Sequence, residues 1–324
     1  MTTPDQDLRP EEFAEAAAAA IEDAQGRSLR DAARVLADAG LTGVAAPEAD
    51  GGLGLGIDFA LPIAEAAGRL QLRFPLVEQM LLTRAFAGTP ISAAIVAGEC
   101  LGSIAWQGSL AEAYAGHARH THECDWVLVA DGEAGATAGA ALLDVSGLVL
   151  HCDEALDPEV PQVWLSLADA RVVARLTAEA HARLRREAQI LFAGFVTGAA
   201  QGAITRTATH VATRVQFGRP LSTKQAVRHW MARMQLAMEV SAAATRRVLA
   251  ANEFGAARDA RPALAGAIGN AAFIMEKAIH LHGGMGFTWE MPLHQSLRDV
   301  RAIDAAFGSS ALTHEVGRRF IESI

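Results

Sequence analysis

Apolar and polar positions along this chain fall into three successive textures. From Pro10 to Ala39 alanine, glutamate, arginine and leucine run with no proline after the first, and Leu29, Ala33 and Leu36 form a stripe that ends at Gly40, so the spacing predicts helix closed by glycine. The stretch Pro47-Glu48-Ala49-Asp50-Gly51-Gly52-Leu53-Gly54-Leu55-Gly56 is too rich in glycine for an element interior and predicts a surface turn. Helix resumes from about Ile57 to Leu70 and again from Leu76 to Ala87, stopped by Gly88-Thr89-Pro90. Short β-type runs follow: Gly102 to Gln107, Trp126 to Ala130, Ala140 to Val145, Val149 to His151 and Val163 to Leu167. The interval from Ile91 to Val173, loops included, is too short for a large sheet.

From Ala178 to Ile324 the helical period returns in longer spans. Gly194, Gly198 and Gly202 recur every fourth residue, which lays them along one line of a helix where a neighbouring backbone can approach closely. A helix after Pro220 places Val227, Trp230 or Met231, Met234 and Met238 on one core-facing side. A third runs from about Pro262 to His282 and stops at Gly283-Gly284. The reading is mainly α with a small β domain: residues 1–90 an N-terminal α-helical domain, 91–176 a small middle β domain, and 177–324 a C-terminal α-helical bundle.

Composition narrows the function. Hydrophobic residues make up 51% of the 324 and charged residues 20%, enough apolar surface for a large core, and abundant alanine favours helix over strand. A net charge of −9 disfavours a nucleic-acid partner. The longest uncharged stretch, Gln189 to Thr205, contains Gln201 and three glycines and falls short of a bilayer span, and Met1 to Arg9, with Asp5 and Asp7, lacks the basic start of a secretory signal. Cys100, Cys124 and Cys152 form no close pair. A cytoplasmic protein without a membrane span or reactive thiols is expected.

Most familiar chemical signatures are absent: no G-x-G-x-x-G after a strand, no P-loop and no H-E-x-x-H. His117, His120, His122 and His280, His282 lack Cys or carboxylate partners at zinc spacing, so no metal is expected, and Glu276-Lys277 and Asp259-Arg261 read as surface charge pairs. Two stretches are more informative. One is Thr213-Arg214-Val215-Gln216-Phe217-Gly218-Arg219-Pro220, followed by Lys224 and Gln225. The other is Ala278-Ile279-His280-Leu281-His282-Gly283-Gly284-Met285-Gly286-Phe287-Thr288, followed by Pro292 and Leu297-Arg298-Asp299. Each joins a helix end to a glycine-bearing loop, where Arg214 offers a fork for a diphosphate and Gly283-Gly284 bare N–H groups.

Together these stretches resemble the acyl-CoA dehydrogenase family, flavoenzymes that oxidise the Cα–Cβ bond of acyl-CoA thioesters. The resemblance takes in the Pro47 to Gly56 turn and the α, β, α order and so covers nearly the whole chain. It implies that the C-terminal unit is a four-helix bundle. It also implies that Arg214, Gln216, Phe217, Lys224 and Gln225 reach the adenosine diphosphate end of FAD held by a neighbouring subunit. Gly283 and Gly284 then lie beside that diphosphate, and His280 stands where the family usually carries glutamine.

The chain also departs from the family. The usual base is a glutamate immediately before Gly-Thr-Ser, and here Ala306-Phe307-Gly308-Ser309-Ser310-Ala311 puts Phe307 in its place. A phenyl ring cannot accept a proton. Members that carry the glutamate on the long preceding helix point to Ala188, whose neighbour Glu187 is a weak candidate, against a solvated carboxylate in the run Arg183, Arg185, Arg186, Glu187. The flavin-ring segment also differs, reading Gly102-Ser103-Ile104-Ala105-Trp106-Gln107-Gly108-Ser109, with Trp126 in a strand-like run.

A chain without base and ring loop that keeps the adenosine-end residues resembles the short subunit of bacterial α2β2 acyl-CoA dehydrogenases of steroid side-chain degradation. Such a subunit is expected in a heterotetramer whose catalytic partner supplies the glutamate, with acyl-CoA as substrate and an electron-transfer flavoprotein or similar acceptor. The alternatives are a self-sufficient homo-oligomer using Glu187, a non-catalytic binding or regulatory protein, and a flavin monooxygenase or nitroalkane oxidase.

Overall fold

The computed structural model describes residues 9–132, 138–153 and 160–322; Asp5 and Asp7, on which the reading of the chain's start rests, lie outside the described residues. The first helical stretch is two helices and not one: α1 (Glu12–Ala24) and α2 (Leu29–Asp38) are parted at Gly26, whose φ is +73°, and Ser28 caps α2 by accepting from the Asp31 amide. A left-handed glycine followed by a capping serine outweighs the continuous helix propensity on either side. Helix α3 (Ile57–Leu70) falls where the periodicity puts it. Helix α4 (Leu76–Ala85) is followed by a further helix, α5 (Pro90–Val96), which the sequence reading missed. Thr89 caps α5 and Pro90 takes its first turn, so the same Thr-Pro that stops one helix starts the next.

Among the described residues, eight short strands then build two four-stranded sheets. One sheet orders β1 (Gly102–Ile104), β4 (Trp126–Ala130), β5 (Ala140–Asp144) and β8 (Val172–Leu176). The other orders β2 (Gln107–Ser109), β3 (Tyr114–Arg119), β7 (Gln162–Ser166) and β6 (Val149–Asp153). Val127, Val129, Ala141 and Leu143 face a small core between the sheets, together with Ala115, Ala118, Val163 and Leu165. Leu128 and Leu142 point the other way, into the helical core. Strands β4 and β5 of the first sheet are therefore buried on both faces, which is why they read as continuous apolar runs. Strand β3 carries no such run: its Tyr-Ala-Gly-His-Ala-Arg composition hid it, and Gly116 is needed because Trp164 of β7 lies directly over it.

The C-terminal helices are α6 (Ala178–Thr213), α7 (Gln225–Leu249), α8 (Arg261–His282), α9 (Leu293–Phe307) and α10 (Ser309–Glu322), with a two-residue-stranded hairpin, β9 (Val215–Gln216) and β10 (Arg219–Pro220), between the first two. Helix α6 is long and apolar enough to cross a membrane, but 83% of its most apolar window is buried inside the protein, so it is the central core helix. Its glycines pack on α3: Gly194 meets Leu61, Gly198 the Glu65 backbone and Gly202 the Arg69 carbonyl, while Gly68 of α3 meets the Phe195 carbonyl in return. One continuous core runs from α1 through α9 and the inner face of the first sheet. Met234 and Met238 of α7 belong to it, whereas Val227, Trp230 and Met231 are half-buried.

Candidate functional site

The α6–α7 connection is a tight hairpin whose tip residues Phe217 and Gly218 both have positive φ, +56° and +76°. Two left-handed tip residues match the right-handed twist of a two-residue hairpin, so the glycine after the phenylalanine is required by the turn. Arg214 caps α6, its amide bonding the His210 carbonyl at 2.8 Å, and its carbonyl accepts from Leu221 at 2.9 Å. Arg214, Gln216 and Gln225 are exposed and Lys224 half-buried, with the Lys224 ammonium 5.3 Å from the Phe217 ring centre. Phe217 is 90% exposed, an aromatic side chain that this chain alone leaves in water.

Helix α8 ends at His282, and Gly283 turns the chain out of it with φ +63° and ψ −140°, a conformation open only to glycine. No atom lies within 4 Å of where a Cβ would stand at Gly283 or Gly284, whereas at Gly286 it would meet the Ile279 carbonyl. Gly286 therefore packs the turn down, and Gly283-Gly284 leave their backbone open. His280 is exposed. The two motifs meet through stacked rings, His210 of α6 and His282 of α8, 4.2 Å between centroids. In a chain of net charge −9, residues 188–238 contain no Asp or Glu and carry Arg206, Arg214, Arg219, Lys224, Arg228 and Arg233. This end of the bundle is an electropositive surface with a fork-shaped cation beside a turn that has no side chain over Gly283-Gly284, although the Gly283 amide itself bonds the His280 carbonyl, and this arrangement fits a diphosphate.

The opposite half of the site is filled. Phe307, the last residue of α9, packs on Trp106 at 4.8 Å and on Phe192 of α6 at 5.4 Å, and Trp106 meets Phe192 edge-on at 5.5 Å. The cavity beside them is about 10 Å³, room for about one water and no larger group. Trp106 sits in the bend between β1 and β2, and Gln107 ties that bend to α9 by donating to the Ala305 carbonyl at 2.5 Å. Ala188 is fully buried one turn before Phe192. Glu187 is not solvated: it is buried, and Nε of Arg84 on α4 donates to both its oxygens at 3.0 and 3.1 Å. Both carboxylate oxygens are thus taken up by the Arg84 guanidinium.

Periodicity did not expose a second set of groups, on α4, β3 and α9. Glu78 and Gln79 interrupt the apolar run from Pro75 to Leu82, and that interruption was the available signal. Gln79 is spent on structure, clamping the Gly102 backbone by donating to its carbonyl at 2.6 Å and accepting from its amide at 3.0 Å. Glu78 is buried beside Phe192 and Arg119, and burial pushes its carboxyl above the usual carboxylate range although the Arg119 charge opposes this. Arg119 itself pairs with Asp299 of α9 at 2.8 Å, as does Arg73 at 3.4 Å. His117 and His120 on either side of that arginine both have positive φ, +54° and +61°. Burial holds His120 well below the ordinary imidazole range, with Arg119, His122 and Arg73 adding to the effect.

Glu78 has a measurable consequence. A carboxyl whose folded pKa is raised keeps its proton where the unfolded chain releases it, so its contribution is complete below the unfolded pKa and is lost as pH rises towards the folded value. Glu78→Gln is therefore expected to match the wild type in urea unfolding near pH 4 and to exceed it at neutral pH by about 1–3 kcal/mol. Equal stabilities at both pH values would show that Glu78 is not held protonated.

No group of three or more His, Cys, Asp or Glu side chains able to hold a metal occurs among the described residues. Of the surface charge pairs, Asp259–Arg261 forms at 2.8 Å, but Glu276 bonds Arg301, and Lys277 lies over the Trp230 ring. Of the cysteines, Cys124 is buried, which drives its thiol far above the ordinary range.

Residues 171–321 match the family model described as acyl-CoA dehydrogenase, C-terminal domain. Among curated proteins, the chain is similar to acyl-CoA dehydrogenase FadE34 of Mycobacterium tuberculosis, 30% identical over 292 residues that make up 85% of this chain and 40% of that protein. The chain thus spans well under half the length of that relative. Among solved structures it is similar to the Tcur3481-Tcur3483 steroid ACAD, with a TM-score of 0.84 and 24% identity over 97% of this chain and 98% of that one. It is also similar to the ChsE4-ChsE5 complex from Mycobacterium tuberculosis, with a TM-score of 0.80 and 20% identity over 99% and 98% of the two chains. The fold is that of the acyl-CoA dehydrogenases, and the C-terminal part of this chain matches the model of their C-terminal domain.

Proposed function

We propose that this chain is the base-lacking subunit of a flavin-dependent acyl-CoA dehydrogenase and completes the FAD site of a catalytic partner from across their interface. One contrast carries the reading: Phe307, Trp106 and Phe192 fill the place of the base and leave about 10 Å³, while Arg214 and the Gly283-Gly284 turn stand open at the other end. FAD, when bound, supplies the acceptor for the hydride from the β-carbon. Arg214 binds and orients the diphosphate, the Gly283-Gly284 turn lets it approach with no Cβ in the way, and the Phe217 ring is covered by the partner. The acyl-CoA and the proton-accepting glutamate belong to the partner's side, and an electron-transfer flavoprotein or similar acceptor takes the electrons. Likeness to pairs named steroid ACAD and ChsE4-ChsE5 complex favours a steroid side-chain thioester as substrate.

The test is flavin content, measured in this chain purified alone and in the chain co-expressed with a catalytic acyl-CoA dehydrogenase subunit, followed by anaerobic acyl-CoA. Little flavin alone and a yellow complex that bleaches are expected. Arg214→Ala should cut flavin occupancy of the complex about tenfold or more while the helical signal stays unchanged. Full flavin and bleaching in the lone chain would replace this reading with that of a self-sufficient enzyme.

A further inference from the structure

Helices α6 and α8 both end at the open half-site, and each brings a histidine into its last turn. The His210 and His282 rings are stacked, 4.2 Å between centroids and 22° from parallel. His282 is buried, and its Nδ1 lies 2.8 Å from the Ala278 carbonyl oxygen. A carbonyl only accepts, so Nδ1 carries the hydrogen, and Nε2 of the neutral ring is then an acceptor. That Nε2 is buried and has no hydrogen-bond partner among the described residues. A buried polar atom left this way costs free energy unless a further group completes it.

Opposing influences act on a proton at His210. Two helix C-termini converge here, and their partial negative charge favours imidazolium. Burial, His282 and Arg214 oppose it and hold His210 below the ordinary imidazole range. Arg206 on α6, Arg219 on β10, Lys224 ahead of α7 and His280 on α8 are basic groups on the adjoining elements. Glu276 of α8 is bound to Arg301, Arg298 of α9 lies over Trp289, and Glu290 beyond the Gly283 turn is bonded to Thr288. What the pair lacks is an anion.

We infer that the His210–His282 pair is part of the diphosphate-binding site, taking up one proton from solvent as a diphosphate settles between Arg214 and the Gly283-Gly284 turn, and donating to a phosphate oxygen. The inference rests on the half-site reading above and adds to it a residue pair and a proton. The proton belongs to the coupled pair and not to either ring alone. Because the bound state holds a proton that the free state lacks, affinity weakens as pH rises, by up to about tenfold per pH unit.

The experiment uses the flavin-binding complex stripped of FAD, with FAD and ADP as probes and titration calorimetry in two non-phosphate buffers of different ionisation enthalpy. The wild type is expected to take up about one proton per diphosphate and to weaken steadily between about pH 6.5 and 8.5. His282→Asn, which keeps a donor towards Ala278, and His210→Gln, at a half-buried site, should still bind both probes, with the uptake gone and the pH profile flat. If His282→Asn does not fold, His210→Gln alone decides. Absent uptake in the wild type, or unchanged uptake in the variants, overturns the inference. Arg214→Ala separates the two claims. Unweakened FAD and ADP binding in that variant overturns the half-site itself, whereas weakened binding with a flat wild-type pH profile overturns only the histidine pair.

Discussion

Gly198→Ala is expected to destabilise the folded chain by about 3 kcal/mol or more. The added Cβ stands 2.7 Å from the Glu65 carbonyl carbon and 2.9 Å from its Cα, with the carbonyl oxygen closer still. These are backbone atoms in the middle of α3, so no rotamer change relieves the overlap, and the two helices must move apart along a contact that both use as core. Gly68→Ala makes the same demand from the other side, 2.8 Å from the Phe195 carbonyl carbon and 3.0 Å from the Ala199 amide. The double variant should lose less than the sum of the two, because one separation accommodates both methyls. Gly194→Ala meets the end of the Leu61 side chain, which can rotate, and should cost about 1 kcal/mol. Gly266→Ala and Gly269→Ala on α8 meet nothing within 4 Å and should stabilise by about 0.5–1 kcal/mol through helix propensity. Urea unfolding of the set holds the chemistry constant and varies only what the methyl touches. If Gly198→Ala fell within 1 kcal/mol of the wild type, the close approach of α3 and α6 would be refuted.

The same glycine line shows how much of the fold was legible. A four-residue recurrence of glycine states that a backbone comes close, and α3 is that backbone; the spacing could not say which helix it would be. Helices α3 and α8 were readable nearly to their ends, and α7 nearly to its start. The boundaries that failed are those where one residue serves two elements, as Thr89-Pro90 does between α4 and α5, or where a left-handed glycine splits a continuous pattern, as Gly26 does. Strand β3 was invisible because its partners, not its residues, make it a strand. At the site, the Arg214 and Gly283 motifs were legible because turn geometry constrains sequence locally: Gly218 and Gly283 are glycines for reasons a few residues long. Glu78, Arg119 and Asp299 are distant in sequence and meet only through packing. The stacking of His210 on His282 is of the same kind.

Asp299→Asn is the companion case among charges and is expected to cost about 3–5 kcal/mol. Asp299 is the meeting point of three layers: Arg73 from the connection between α3 and α4, Arg119 from β3, and its own helix α9. The amide keeps the shape of the carboxylate and removes its charge. Two half-buried guanidinium groups then lose the carboxylate they share, beside the buried His120 and Glu78. This arrangement can relax in one way, by ionising Glu78 next to Arg119. The variant should therefore lose most stability at low pH and recover part of it as pH rises, the reverse of the trend that Glu78 imposes on the wild type. Adding Glu78→Gln to Asp299→Asn closes that route, so the double variant should be less stable at neutral pH than Asp299→Asn alone, although Glu78→Gln by itself stabilises. A substitution that changes sign with its background is a coupling that independent sites cannot produce. Additive losses in the four-member cycle, followed by urea unfolding at about pH 5 and pH 8, would mean that Asp299 and Glu78 do not share Arg119. The sign reversal would establish that one arginine on β3 balances both carboxyls and ties the three layers together.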